Sequence, residues 1–421
     1  MARKVITPKE KKVVLENFAS LSTLQGINYL LPLLVLPYLI RVIGPEKFGL
    51  IAFAQAFIQY FMIITDYGFS LSATRKISLC RNAEEASSIF STVMTVKFIL
   101  AALSYLALLV LINIVPKFRT DWLLYVFSFG AVIGNTLFPV WLFQGTEKMK
   151  FIAIINIIGG LIFASSVFIF VRVPADYLLV PLLNSLFFIV TGIFGLYVAF
   201  REFDLEFIFQ SYSDIKLELK TGWDIFISTI AINTYTTTRI FAVGLLTNNT
   251  ITGYYSIAEK ITGVIQTFPL ASLSQAIYPR LSNIFAKSKI RAQNLMLKVQ
   301  HSTTLAYLLV VPVIFFISPF IVKLACGKVF PEVVISLKML LLSVFFISAN
   351  AFKVQFLLVC GRPDIYSRIH VLAALVGLPL IFIFIYYFSF LGAAAATITI
   401  EAIIYFSTSQ ILYTLTNNPK K

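Results

Sequence analysis

The chain has 421 residues, of which 59% are hydrophobic and only 13% charged. A charged share about half that of ordinary soluble domains excludes a soluble enzyme, a disordered protein and a secreted disulfide scaffold, and leaves a polytopic membrane protein. The net charge of +15 is read as loop charge that fixes membrane orientation, not as a nucleic-acid surface.

Residues 1–16 are polar and basic, with Arg3, Lys4, Lys9, Lys11 and Lys12. The apolar stretch that follows, from about Phe18 to Ile40, is too long for the core of a cleaved signal peptide, so it is expected to be a retained first span. Apolar segments then predict helices at about 17–40, 48–66, 88–114, 121–143, 151–171, 177–199, 223–246, 253–278, 301–325, 333–359, 367–388 and 391–413. An even number of spans puts both termini on one side. With the N-terminus inside, 22 of the 34 Lys and Arg residues fall in cytoplasmic segments and 6 on the opposite side (Arg41, Lys47, Lys117, Arg119, Arg172, Lys328). That asymmetry fits the positive-inside rule and predicts cytoplasmic N- and C-termini.

The longest connections are cytoplasmic: 67–87, 200–222 and 279–300. Residues 201–222 mix charge with apolar residues and predict an amphipathic linker on the inner leaflet. It would join an N-terminal lobe, 1–200, to a C-terminal lobe, 223–421. An internal repeat supports the two halves. Phe48-Gly-Leu-Ile-Ala-Phe-Ala matches Thr252-Gly-Tyr-Tyr-Ser-Ile-Ala, aligning Gly49 with Gly253 and Ala54 with Ala258. The turns Phe143-Gln-Gly and Val359-Cys-Gly recur in the same order. The expected fold is therefore all-α, with about 12 transmembrane helices in two pseudo-symmetric six-helix lobes around a central cleft.

No GxxxxGK[ST], HExxH, GxSxG or GxGxxG motif occurs. Cys80, Cys326 and Cys360 lie far apart, and His301 and His370 are the only histidines. No metal, cofactor or catalytic residue is expected, and the chain is read as moving a substrate rather than transforming it.

Ionisable groups inside the spans are costly and therefore informative. Lys97 lies about ten residues into the third span, near mid-membrane, where a cavity role competes with snorkelling. Arg239 follows the polar run Asn233-Thr-Tyr-Thr-Thr-Thr238. It is either an anion contact or the partner of a carboxylate or helix dipole. Lys260 and Lys353 complete an expected cationic substrate site, with snorkelling an equal reading for Lys353. Gln25, Asn28, Asn233 and Thr237 are expected to line the cavity. Glu259 is either an ion-coupling carboxylate or the ion partner of Arg239 or Lys260. Glu401 is either a proton site or a hydrogen-bonding group. Asp66 and Arg75 are read as an inner gate or as a solvated helix end.

Some of these residues also carry a family resemblance. Arg41-Val-Ile-Gly-Pro-Glu-Lys-Phe-Gly-Leu-Ile-Ala-Phe-Ala-Gln-Ala-Phe57, Thr65-Asp-Tyr-Gly-Phe69, Ser72-Ala-Thr-Arg75 and Phe138-Pro-Val-Trp-Leu-Phe-Gln-Gly145 resemble the Wzx-type O-antigen flippases of the multidrug/oligosaccharidyl-lipid/polysaccharide superfamily. The resemblance implies a MATE-like fold. It also implies translocation of undecaprenyl-pyrophosphate-linked oligosaccharide repeat units to the periplasmic leaflet by alternating access, with proton or sodium coupling. Its implied partners are the lipid-linked oligosaccharide, membrane lipids, a polysaccharide polymerase and a chain-length regulator, with no nucleic acid. A drug exporter or lipid II flippase of the same superfamily, and a non-transporting assembly scaffold, are the competing expectations.

Overall fold

The computed structural model describes the backbone of residues 8–80 and 82–417. Of the basic residues assigned above to the cytoplasmic side, Arg3, Lys4, Arg81, Lys420 and Lys421 lie outside the described residues. The helices in chain order are α1 (Pro8–Asp66), α2 (Phe69–Leu79), α3 (Ala83–Ile114), α4 (Pro116–Thr120), α5 (Trp122–Leu137), α6 (Val140–Gly145), α7 (Met149–Phe170), α8 (Leu179–Phe203), α9 (Tyr212–Leu246), α10 (Asn249–Phe285), α11 (Lys289–Cys326), α12 (Pro331–Val359) and α13 (Pro363–Asn417). No strand occurs among the described residues.

Length alone shows that α1 and α13 cannot be single spans. The apolar stretch Asp364–Thr414 has 51 residues, about 77 Å at 1.5 Å per residue, against a hydrocarbon core of about 30 Å. It is broken at Ser389 (φ 53°, ψ −136°), and α1 is broken at Gly44 (φ 77°, ψ 164°). Both breaks fall in the short loops expected between apolar runs. Among the described residues, eight stretches are apolar enough to cross a membrane by length and composition. With the two breaks, and with the more polar α9 and α10, the architecture is consistent with twelve spans.

The chain divides into two compact units. One is Met1–Tyr38 with Phe57–Ile230, and the other is Leu39–Ala56 with Ala231–Lys421. In the first unit, α5 and α8 pack closely because small residues face each other. A Cβ on Gly134 would lie 2.1 Å from the carbonyl carbon of Phe188, and one on Gly192 would lie 2.5 Å from Gly134 O. Such stripes bring helix backbones together where lipid supplies no hydrophobic drive between helices. A second core gathers Phe69, Phe90, Trp141 and Phe143.

The segment expected as an amphipathic linker has two different halves. Residues 205–211 form an extended strap along the start of α3. Glu206 N donates to Ser87 Oγ at 3.1 Å, Ile208 N to Ser91 Oγ at 2.9 Å, and Thr92 Oγ1 to Gln210 Oε1 at 2.6 Å. From Tyr212 the chain is already the first turns of α9, which dock on the α2 region. Lys76 pairs with Glu218 and Tyr67 Oη donates to Leu219 O at 3.0 Å, while the Tyr67 and Phe226 rings stack at 4.3 Å. The boundary of the first unit accordingly falls at Ile230, inside α9.

In the second unit the repeat is visible as a contact. A Cβ on Gly49 would lie 1.9 Å from Asn249 O, and a Cβ on Gly253 would lie 2.0 Å from Pro45 O. Residues 45 and 49 thus meet residues 249 and 253 reciprocally, at the offset of 204 that aligns the repeated segments. Reciprocity of this kind is what a two-fold relation requires.

A proline inside a span leaves the carbonyl four residues earlier without its amide donor, and at Pro139, Pro269 and Pro319 a side chain supplies one. Pro139 frees Asn135 O, which accepts from Lys97 Nζ at 3.1 Å. Pro269 frees Ile265 O, which accepts from Tyr307 Oη at 3.2 Å. Pro319 frees Phe315 O, which accepts from Ser318 Oγ at 2.7 Å. In hydrocarbon no water can do this, so side chains must, from a neighbouring helix for Asn135 and Ile265 and from the same helix for Phe315.

Candidate functional site

The second unit holds the densest intramembrane polar cluster of the expected site residues. Its centre is Arg239 on α9. A guanidinium cannot shed its charge in a membrane, so it must be surrounded by acceptors. Nη2 pairs with Glu259 Oε1 of α10 at 3.1 Å. Nη1 donates to Thr397 Oγ1 of α13 at 3.1 Å, and Nε donates to Thr236 O of its own helix at 3.2 Å. Glu401, one turn beyond Thr397, acts on the same guanidinium electrostatically.

Each helix brings its contribution by the same spacing. Tyr235 and Arg239, Tyr255 and Glu259, and Thr397 and Glu401 are all i, i+4 pairs, which lie on one helix face. Tyr235 and Tyr255 both act on Arg239. Tyr235 in turn reaches His370, with its hydroxyl 3.2 Å from Nδ1 and the two rings stacked. The ion pair is only partly covered, with side-chain exposures of 19% for Arg239 and 20% for Glu259. Three of the five guanidinium donors have these partners, which leaves donor capacity for an incoming anion.

The other expected cations of this unit stand apart from that centre. Lys353 donates to Ser409 Oγ at 2.7 Å and lies 4.0 Å over the Tyr405 ring. Lys260 is exposed, and Glu259 is the charge that acts on it. The local balance at Arg239 is therefore one guanidinium between two carboxylates, not a pool of positive charge. Asn233 and Thr237 are partly buried on α9. Gln25 and Asn28 fall among residues whose side chains lie outside the described ones.

In the first unit, Lys97 is 2% exposed and its ammonium is held by the Asn135 carbonyl that Pro139 frees. Asp66 is the charge acting on it. Asp66 Oδ2 accepts from Ser70 Oγ at 3.1 Å, whereas Arg75 is exposed. The structure thus places Asp66 in the electrostatic field of Lys97 and does not bring Asp66 and Arg75 together. Sequence reasoning missed Tyr235, Tyr255 and His370. The signal was the i, i+4 spacing of each tyrosine from a charged residue already singled out.

Residues 14–285 match the family described as polysaccharide biosynthesis protein. The chain is 31% identical over 405 residues to a protein of Escherichia coli (strain K12) described as a candidate O-antigen transporter, covering 96% of each chain. It is 28% identical to one of the same description from Shigella dysenteriae, covering 92% of this chain and 97% of that one. Among solved structures it resembles an inward-facing multidrug resistance MATE family transporter of the MOP superfamily (TM-score 0.75, 14% identity, covering 94% and 96%). It also resembles a lipid II flippase in an inward-closed conformation (TM-score 0.72, 12% identity, covering 96% and 88%). These likenesses give the fold, and the match across most of the chain gives the family: this multi-span helical membrane protein belongs to the polysaccharide biosynthesis protein family.

Proposed function

We propose that the chain is a carrier, not an enzyme, and that it flips undecaprenyl-pyrophosphate-linked O-antigen or polysaccharide repeat units from the cytoplasmic to the periplasmic leaflet by alternating access. The substrate class rests on the relatives described as O-antigen transporters. The observation that carries the mechanism is the Arg239–Glu259 pair with Glu401 in range.

A diphosphate and Glu259 compete for one guanidinium, and the diphosphate offers the fork-matched oxygens that Arg prefers. A displaced Glu259 has two outlets. It can turn to Lys260, the next residue, or it can take up a proton. The second outlet would make transport depend on an ion gradient. The anionic headgroup also leaves an inside-negative compartment, a drive of about 2.3 kcal/mol per charge per 100 mV. On this reading the protein sits in the bacterial inner membrane with both termini cytoplasmic. A polymerase and a chain-length regulator receive the flipped unit.

The test is leaflet exchange of a fluorescent undecaprenyl-pyrophosphate oligosaccharide in proteoliposomes, with and without a pH gradient. Wild type should exceed protein-free liposomes, and Arg239→Gln should lose at least tenfold in rate. Glu259→Gln should retain exchange but lose its response to pH. Exchange unaffected by Arg239→Gln would remove this cluster from the cargo path. No exchange by folded wild type under any gradient would point to a drug exporter or a scaffold.

A further inference from the structure

A second cationic site lies in the second unit, away from the Arg239 cluster. Arg41 precedes the break in α1 by three residues. Its side chain crosses the end of α11, where Nη2 donates to Leu324 O. Gly327 ends α11 at φ +80°, with its N–H returned to Lys323 O at 2.9 Å. A Cβ on Gly327 would lie 3.4 Å from Arg41 Nε and 3.7 Å from its Cδ. A side chain there would crowd the guanidinium and strain the backbone. Arg41, Lys323 and Gly327 line an open groove of about 420 Å³, whose remaining walls are Phe320 and Leu324.

Three features define what fits. First, neither Arg41 nor Lys323 has a carboxylate partner among the described residues. Capping a helix C-terminus explains one Arg41 donor, but among the described residues it leaves the other guanidinium donors and the Lys323 ammonium without a partner. Second, Phe320 and Leu324 are 66% and 64% exposed, on a helix apolar enough to face hydrocarbon. Third, the groove sits at a membrane-water boundary, because Arg41 ends the first apolar run and Gly327 ends that of α11. Two cations above apolar walls at that depth match an anionic head on an acyl or isoprenoid chain.

We propose that this groove binds the phosphate ester of a membrane lipid, with Arg41 and Lys323 on the phosphate oxygens and the chain along Phe320 and Leu324. The chemistry is shared by a bilayer phospholipid and by a lipid-linked diphosphate. The site itself does not depend on the flippase reading. Only if the diphosphate is preferred does the groove become a docking point for cargo, on the side opposite the termini.

The experiment is a calorimetric titration of the purified full-length chain in dodecyl maltoside, in an Arg239→Gln background so that the cluster described above cannot contribute. Dodecyl phosphate is the probe, inorganic pyrophosphate the chain-free comparison, and phosphatidylglycerol and undecaprenyl pyrophosphate in nanodiscs separate the two lipid sources. Lys323→Gln should weaken dodecyl phosphate about tenfold while leaving the melting temperature unchanged, since the Arg41 cap is intact. Lys323→Gln with Arg41→Gln should weaken it about a hundredfold, and Arg119→Gln, elsewhere in the chain, should do nothing. Pyrophosphate binding as tight as dodecyl phosphate would overturn the role of the apolar walls. Equal dodecyl phosphate affinity with and without Lys323→Gln in that background would overturn the site.

Discussion

At the residue scale, the buried charges divide by what they neutralise. Lys97 serves a backbone break, because Pro139 has no amide to give Asn135 O. Lys97→Met keeps the stem but leaves that carbonyl orphaned in an apolar setting. We expect a loss of about 2 kcal/mol, read as a lowered melting temperature in detergent, with exchange activity per folded molecule retained. A stable but transport-dead Lys97→Met would instead make Lys97 a cargo residue. Arg239 differs in kind. Its side-chain partners come from two other helices, Glu259 of α10 and Thr397 of α13, each able to exchange, and its donors are not all committed. A buried ion pair is weak evidence of stability, since replacing it with apolar groups is often neutral or better.

At the element scale, close approach of backbones decides the packing. Gly49 and Gly253 occupy one contact from two sides. Alanine at either should cost about 1–3 kcal/mol through overpacking. Because both substitutions force the same pair of segments apart, the double variant should cost clearly less than the sum. Full additivity in thermal unfolding would mean that the two glycines do not share a contact. The strap at 205–211 gives a second test. It is held on α3 by hydroxyls of Ser87, Ser91 and Thr92, and Phe209 is almost fully exposed. Ser87→Ala with Ser91→Ala should leave the spans intact but speed chymotryptic cleavage after Phe207 and Phe209 by severalfold. Unchanged cleavage would show that the hydroxyls do not hold the strap.

At the scale of the whole molecule, charge asymmetry predicts an orientation. With the N-terminus inside, Arg119 lies on the periplasmic face and Asp204 on the cytoplasmic face. In a cysteine-free background, a membrane-impermeant maleimide applied to spheroplasts should label Arg119→Cys and spare Asp204→Cys. The opposite pattern would invert the assigned topology and place the Arg41 groove on the inner face.

Much of this was readable from the chain alone. The excess of apolar residues dictates spans. Gly44 breaks α1 where Gly and the Pro after it interrupt a run of hydrocarbon. The offset of 204 between Gly49 and Gly253 was legible as a repeat, since both copies open a helix with a small residue. Depth in a span also picked out Arg239, Glu259 and Glu401. Tertiary structure decided who their partners are. Charge and depth say that Arg239 needs an anion, but only the packing of α9 against α10 and α13 selects Glu259 and Thr397 over Lys260's side of the same helix. The rotation of a helix about its own axis is not fixed by hydropathy when polar residues are sparse. The same holds for Lys97, whose carbonyl partner was created by a proline 42 residues later in sequence, and for the Arg41 groove, which exists only where the end of α1's first run meets the end of α11.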